Sequence, residues 1–149
     1  NELAPYLQEN PSMHYTGFNT VHYIYCLARL GQEDAVQKSL ASIEAYAKTL
    51  PSGYYQSLWF SVILPLSKGI HAFVHNEFQT ACDLMAPCIS RRTEIGGSDA
   101  QSEIIAQTYL ICLIQSKNLH AAQEFFNFHL AHYKDTPLAE FWFSSTFHF

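Results

Sequence analysis

Ile95-Gly96-Gly97-Ser98-Asp99-Ala100-Gln101 divides two long stretches of helical periodicity, and the order of residues in it is that of a helix stop followed by a helix start. Two adjacent glycines disfavour a helix interior, and glycine just past a helix end takes the left-handed conformation that satisfies the last carbonyls. Ser98 is a good N-cap, and Gln101 three residues on can close a capping box. Asp99 and Glu103 then place negative charge near the positive end of the helix dipole. The stretch is a loop joining two helices, and neither side of it carries the strict alternation of a strand.

Working outward, helical spacing recurs along the chain. Tyr15, Phe18, Val21, Tyr25 and Leu30 follow a candidate cap at Ser12 and stop at Gly31. Ala35, Val36, Leu40, Ile43, Ala47 and Leu50 form the next run, which Pro51-Ser52-Gly53 ends. A third helix is expected from about Tyr54 to His75, with Pro65 predicting a kink or short break near Val62 to Leu66. A fourth carries Phe78, Ala81, Leu84, Met85, Cys88 and Ile89 and is expected to reach about Arg92, bent at Pro87. The last pair spans Ser98 to about Ser116 and Asn118 to about Tyr133.

The expected fold is therefore all-α, an α-α superhelix of three helical hairpins plus a C-terminal helix. The hairpins cover about residues 12–50, 54–92 and 98–133, and the terminal helix about 136–147. Residues 1–11 are a lead-in, and residues 12–149 make one domain. The first helices of the hairpins are more apolar than the second, which predicts an inner and an outer layer. Because the chain begins at Asn1 without an initiator Met, it is expected to be the C-terminal part of a longer protein, whose remainder packs on it.

Composition narrows the function classes. The chain has 149 residues, 48% apolar and 14% charged, with a net charge of −5 and only eight Lys and Arg. No basic footprint for nucleic acid or anionic lipid follows from that balance, and no apolar run without polar breaks is long enough to suggest a membrane span. Cys26, Cys82, Cys88 and Cys112 lie in apolar helical patterns without Cys-x-x-Cys spacing, so they are expected to be buried reduced thiols. That points to a reducing compartment and a cytoplasmic location.

Lys68 to Ala81 resembles a tetratricopeptide repeat: a small residue, Gly69, that lets helices approach, an aromatic, Phe78, after the turn, and an alanine, Ala81, in the second helix. Leu119 and Ala122 repeat the last two in the third hairpin, and Ala35 is expected to mark the position in the first. Leu64-Pro65, Gly69, Ala81, Pro87, Arg92 and Ile95 to Gln101 together are similar to the C-terminal half of the tetratricopeptide repeat protein 38 family, over about Phe18 to Tyr133. What the resemblance implies is an α-solenoid-like protein without an established enzymatic reaction, with further hairpins in the rest of the chain.

A stack of helical hairpins suits an extended peptide or a partner helix. By analogy with tetratricopeptide register, the partner-binding surface would carry Thr20, Ile24, Ile70, Phe73, Val74, Gln107 and Ile111. Trp142 and Phe143 in the aromatic tail either close the last hairpin or dock another chain, which makes a homodimer an alternative. Free N–H groups at the Ser98 helix, with Arg91 and Arg92 upstream, form a weaker anion-binding candidate. No Gly-Lys-Ser/Thr makes it a nucleotide loop, and no Gly-x-Ser-x-Gly makes Ser98 a nucleophile.

His71 and His75 are four residues apart, and His129 and His132 three apart, both feasible for metal ligands on one helix face. No carboxylate or cysteine stands beside either pair in the sequence, so neither is assigned a metal, and no cofactor is expected. The rival to a scaffold is a ligand-binding or enzymatic domain whose pocket is lined by histidines and by Tyr23, Tyr54, Tyr55 or Tyr109. A deep cavity with convergent polar groups would favour that rival, and an open groove would oppose it.

Overall fold

The computed structural model describes residue 14 and residues 16–144, and these are all-α: no strand occurs among them. The helices are α1 (Gly17–Arg29), α2 (Glu33–Thr49), α3 (Tyr54–Val74), α4 (Phe78–Met85), α5 (Asp99–Gln115), α6 (Leu119–His129) and α7 (Pro137–Phe143). Packing follows chain order. Helix α1 lies on α2 and α3, α2 on α3, α3 on α4 and α5, α4 on α5, and α5 on α6 and α7.

Three hairpins turn on one backbone geometry. Gly31, Asn76 and Lys117 take φ of 68°, 60° and 64°, and the residues after them, Gln32, Glu77 and Asn118, take φ/ψ of −86°/60°, −84°/61° and −86°/63°. In each, two crossed hydrogen bonds close the preceding helix, as in a Schellman motif. They run from Gly31 N–H to Ala28 O and Gln32 N–H to Leu27 O, each 3.0 Å, and again from Asn76 to Phe73 and Glu77 to Ala72, and from Lys117 to Ile114 and Asn118 to Leu113. The turns recur at intervals of 45 and 41 residues (31 to 76 to 117).

Counted from these turns, the fully buried position held by Ala81 and Ala122 is held in the first hairpin by Val36, not by Ala35. The expected register slips by one residue there, because the two-residue turn and not the alanine sets the count.

Local sequence explains the remaining boundaries. Thr16, whose side chain accepts a hydrogen bond from Asn19 N–H at 3.2 Å, caps α1, while Ser12 lies outside the described residues. Pro65 does not break α3. Its missing N–H is accommodated by a π turn, Trp59–Ile63, in which Leu64 N–H reaches back to Trp59 O. Pro87 has the stronger effect: α4 ends at Met85, and Ile89–Ile95 forms a 3-10 helix in place of the expected continuation to Arg92. Similarly α6 stops at His129, and Ala131–Tyr133 is a separate 3-10 turn. Helix α7 is shorter than the expected 136–147, and residues 145–149 lie outside the described set.

Two glycines set close approaches. Gly69 has no side chain where a Cβ would press on Met85 Cγ, so α3 and α4 come together there. Gly97, at φ +90°, sits on the ring of Phe18, and a Cβ would lie 2.8 Å from it. The expected capping box also forms: Ser98 N–H donates to Gln101 Oε1 at 2.9 Å, and Gln101 N–H donates to Ser98 Oγ at 3.4 Å.

Helix α3 bears on the membrane expectation. An 18-residue window within its 21 residues has a mean hydropathy of 1.3, so by length and composition alone it is long and apolar enough to cross a membrane. In this fold 61% of that window is buried, with Val62, Ile63, Leu66 and Ile70 in the core between the neighbouring helices.

Candidate functional site

The residues expected to form an open inner surface are largely interior. Thr20, Ile24, Ile70 and Phe73 are buried, and Val74, Gln107 and Ile111 are half-buried. The crevice where α1, α3 and α5 meet is lined by Val21, His22, Tyr25, Ile70, Ile104, Ile105 and Thr108 and leaves no volume for a water. Helix α1 packs on both α2 and α3, so its buried positions cover more than one face.

Trp142 is also interior. Its ring stands edge-to-face with Tyr133 at 5.3 Å and with Phe126 at 6.4 Å, so α7 closes the last hairpin. Phe143 packs on Phe126 and keeps 38% of its surface exposed.

The anion-binding set does not converge on a free ligand position. Arg91 donates from Nε and Nη2 to both oxygens of Glu94, at 2.9 and 2.8 Å. Arg92 is buried, with Nη1 on Ile89 O at 3.3 Å, and burial lowers its pKa. Ser98 is engaged in the capping box. Of the cysteines, Cys82, Cys88 and Cys112 are buried as expected, but Cys26 is exposed. It lies on the side of α1 away from the buried stripe of Val21, Ile24 and Ala28.

What the surface does present is an aromatic crevice at the end of the stack remote from the hairpin turns. It consists of two adjoining depressions of about 470 and 320 Å³ that share Tyr46, Tyr55 and Trp59. The C-terminal turn of α2 supplies Tyr46 and Leu50, the start of α3 supplies Tyr54, Tyr55, Leu58 and Trp59, and Glu94 to Gly96 close one side. Tyr46 and Trp59 meet edge-to-face at 4.8 Å and 75°, and His14 stands 5.2 and 5.3 Å from them. Tyr54 and Tyr55, also edge-to-face, are among the most exposed large rings.

Neighbouring polar groups fix this lining. Gln56 Nε2 donates to Leu50 O at 2.9 Å, tying the start of α3 to the end of α2. Tyr54 OH donates to Glu94 Oε2 at 3.0 Å. Arg91 and then Tyr54 hold the Glu94 carboxyl below its usual range, while Glu94 raises the Tyr54 hydroxyl. Gln56, Tyr54, Glu94 and Arg91 are thus paired, and the exposed rings of Tyr54 and Tyr55 are offered to a ligand. It is open, with Tyr54 and Tyr55 in it; Tyr109 instead lines a separate depression of about 370 Å³ beside Ile89, Phe125 and His129.

At the opposite end, the turns bring together residues far apart in sequence. His71 Nε2 and His75 Nε2 both lie against Glu33 Oε2, at 3.0 and 3.3 Å. The other Glu33 oxygen accepts a 2.6 Å hydrogen bond from Gln37 Nε2. Gln37 first, and His71 after it, draw the Glu33 carboxyl down to about 2. The carboxylate that the sequence does not place beside this histidine pair comes from the preceding hairpin. The second pair stays apart: His132 bonds Glu103 Oε1 at 2.8 Å, while His129 stacks on Phe125. Compared with known proteins, the chain is matched by no family model and by no solved structure.

Proposed function

We propose that this chain is a tetratricopeptide-like scaffold that binds a proline-bearing extended peptide in the aromatic crevice of Tyr46, Tyr54, Tyr55 and Trp59. The observation that carries the reading is that crevice: the exposed rings of Tyr54 and Tyr55, set edge-to-face, stand beside the half-buried Tyr46 and the buried Trp59 that floor it, with the Tyr54 hydroxyl already paired to Glu94. Proline-rich segments hold a preformed extended helix and dock on aromatic-lined grooves of this kind, so little conformational entropy is lost on binding. Recurrence of one turn geometry in three hairpins, packed in chain order, supports the repeat-scaffold part of this reading. No catalytic step belongs to this reading, and the low charge and free thiols fit a cytoplasmic setting.

The chain has two tryptophans, so replacing Trp142 with Phe leaves Trp59 as the single reporter in the crevice. Titrating that variant with a synthetic proline-rich peptide is expected to shift Trp59 emission saturably, and Tyr55→Ala is expected to weaken binding about tenfold or more, as loss of an interface aromatic does. A saturable response that Tyr55→Ala leaves unchanged, or none at millimolar peptide, refutes the reading. A response to tetramethylammonium but not to the peptide would assign the cage to a cationic ligand instead.

A further inference from the structure

We propose that Glu33, His71 and His75 form a binding site for a divalent transition-metal ion of the Zn2+ type, which would staple the first hairpin to the second. The three side chains come from two elements. His71 and His75 lie one turn apart at the C-terminal end of α3, and Glu33 is the first residue of α2. Their ligand atoms all fall within 4.8 Å of one another.

The spacing matches the chemistry. For metal–ligand bonds of about 2.0–2.1 Å, two ligand atoms of a tetrahedral zinc site stand about 3.3 Å apart. The two His-to-Glu separations, 3.0 and 3.3 Å, are already of that size. The two imidazole nitrogens lie within 4.8 Å of each other, with the His75 ring exposed and the His71 ring partly so. Imidazole with one carboxylate suits zinc, iron, nickel or copper, whereas magnesium and calcium prefer all-oxygen sets. Three protein ligands leave a fourth position for water or an incoming group.

Gln37 adds the outer support that metal ligands usually have. By donating to Glu33 Oε1 it orients the carboxylate so that Oε2 faces the histidines. Glu33 stands at the place where the second and third hairpins carry Phe78 and Leu119, the residue following Glu77 and Asn118. An acidic side chain there does not serve the apolar contact that Phe78 makes with Phe73. Glu33 and His71 are separated by 38 residues, so a bound ion would cross-link the ends of two hairpins.

The test is calorimetric titration of Zn2+ into tag-free, chelator-treated protein, followed by Co2+ substitution. One ion per chain is expected, with affinity lowered at least tenfold in His71→Ala and in Glu33→Gln, and about tenfold in Gln37→Ala, which removes no ligand. His132→Ala, whose partner is Glu103, is expected to bind as the parent does. Bound Co2+ should give the intense visible bands of tetrahedral coordination. Unchanged affinity in His71→Ala or Glu33→Gln, or the faint spectrum of an octahedral ion, overturns the proposal. Since these side chains lie at the surface, far-ultraviolet circular dichroism of each variant verifies that its helices are retained.

Discussion

Replacing Gly69 with alanine should destabilise the protein even though alanine is the better helix former. In a helix interior alanine is favoured over glycine by about 0.5–1 kcal/mol. Against this, the new Cβ would overlap Met85 Cγ, and Met85 is wholly buried. Its Cγ lies next to the backbone, so it can move only through a change of χ1, and on the far side the Cβ meets Ala81 O at 3.4 Å. Overpacking of this kind costs about 1–3 kcal/mol. The upper half of that range applies to a site with no slack, which leaves a net loss of about 1.5 kcal/mol after the helix gain. For a chain of this size the melting temperature should fall by about 3–6 °C.

The double variant separates overlap from other causes. Met85→Ala alone should cost about 2–5 kcal/mol through the cavity it leaves. In that background Gly69→Ala meets no obstacle and should become neutral or stabilising, a reversal of sign that additive effects do not produce. Urea unfolding of the four proteins, followed by circular dichroism, measures the cycle. If Gly69→Ala is harmless in the parent, or costs as much in the Met85→Ala background as in the parent, the close approach of α3 and α4 does not rest on this glycine.

Three further outcomes follow from the same structure. Burial lowers the pKa of His14 and His22, and the buried Nε2 of His22 has no hydrogen-bond partner. The unfolded chain therefore binds more protons than the folded one just below pH 6.5, so their contribution, complete above that pH, is lost on acidification. Unfolding free energy should fall from pH 7.5 to 5.5, and less so in His22→Leu; a stability that rises on acidification contradicts this. With a maleimide, Cys26 should react fastest, since the other three thiols are buried and burial pushes Cys88 up to about 11; mass mapping after brief labelling decides it. Trp142→Ala should cost about 3–5 kcal/mol because it empties a packed site, whereas half-exposed Phe143→Ala should cost much less; equal losses on thermal unfolding would contradict the packing of α7.

Much of the fold was legible where a local rule acts alone. Gly96-Gly97-Ser98 through Gln101 contains its own stop, turn and cap, and the structure uses each residue as its chemistry demands. Pro65 announced a disturbance, but its form, a π turn rather than a break, depends on apolar side chains of α3 that tertiary packing keeps buried. Pro87 shows the opposite balance, since the chain leaves α4 there and continues as a 3-10 helix. Which face of α5 meets which neighbour was not legible, because a helix with apolar residues on most sides has no preferred direction.

The candidate sites divide in the same way. Tyr54 and Tyr55 could be named from sequence as pocket-lining residues, but Tyr46, Trp59 and Glu94 join them only because the end of α2 meets the start of α3. Glu33 was missed because its histidine partners lie a whole hairpin downstream. A signal existed nonetheless: aligned by its turn, the first hairpin has an acid where the others have Phe78 and Leu119.

The shared turn geometry also means that equivalent positions in successive hairpins face the same seam. Counted from its own turn, Gln37 stands where Cys82 stands in the next hairpin, and His71 and His75 stand where Cys112 and Ser116 do. The two seams make corresponding contacts with different chemistry. Glu33, held by Gln37, meets the imidazoles at the first, while at the second Cys82 meets Cys112 and lies 3.7 Å from the Ser116 hydroxyl. Each seam is in effect a socket with a fixed shape and exchangeable contents. Moving the imidazole pair and its acid from one socket to the other should need only side-chain changes at matching addresses, with the backbone carried over unaltered.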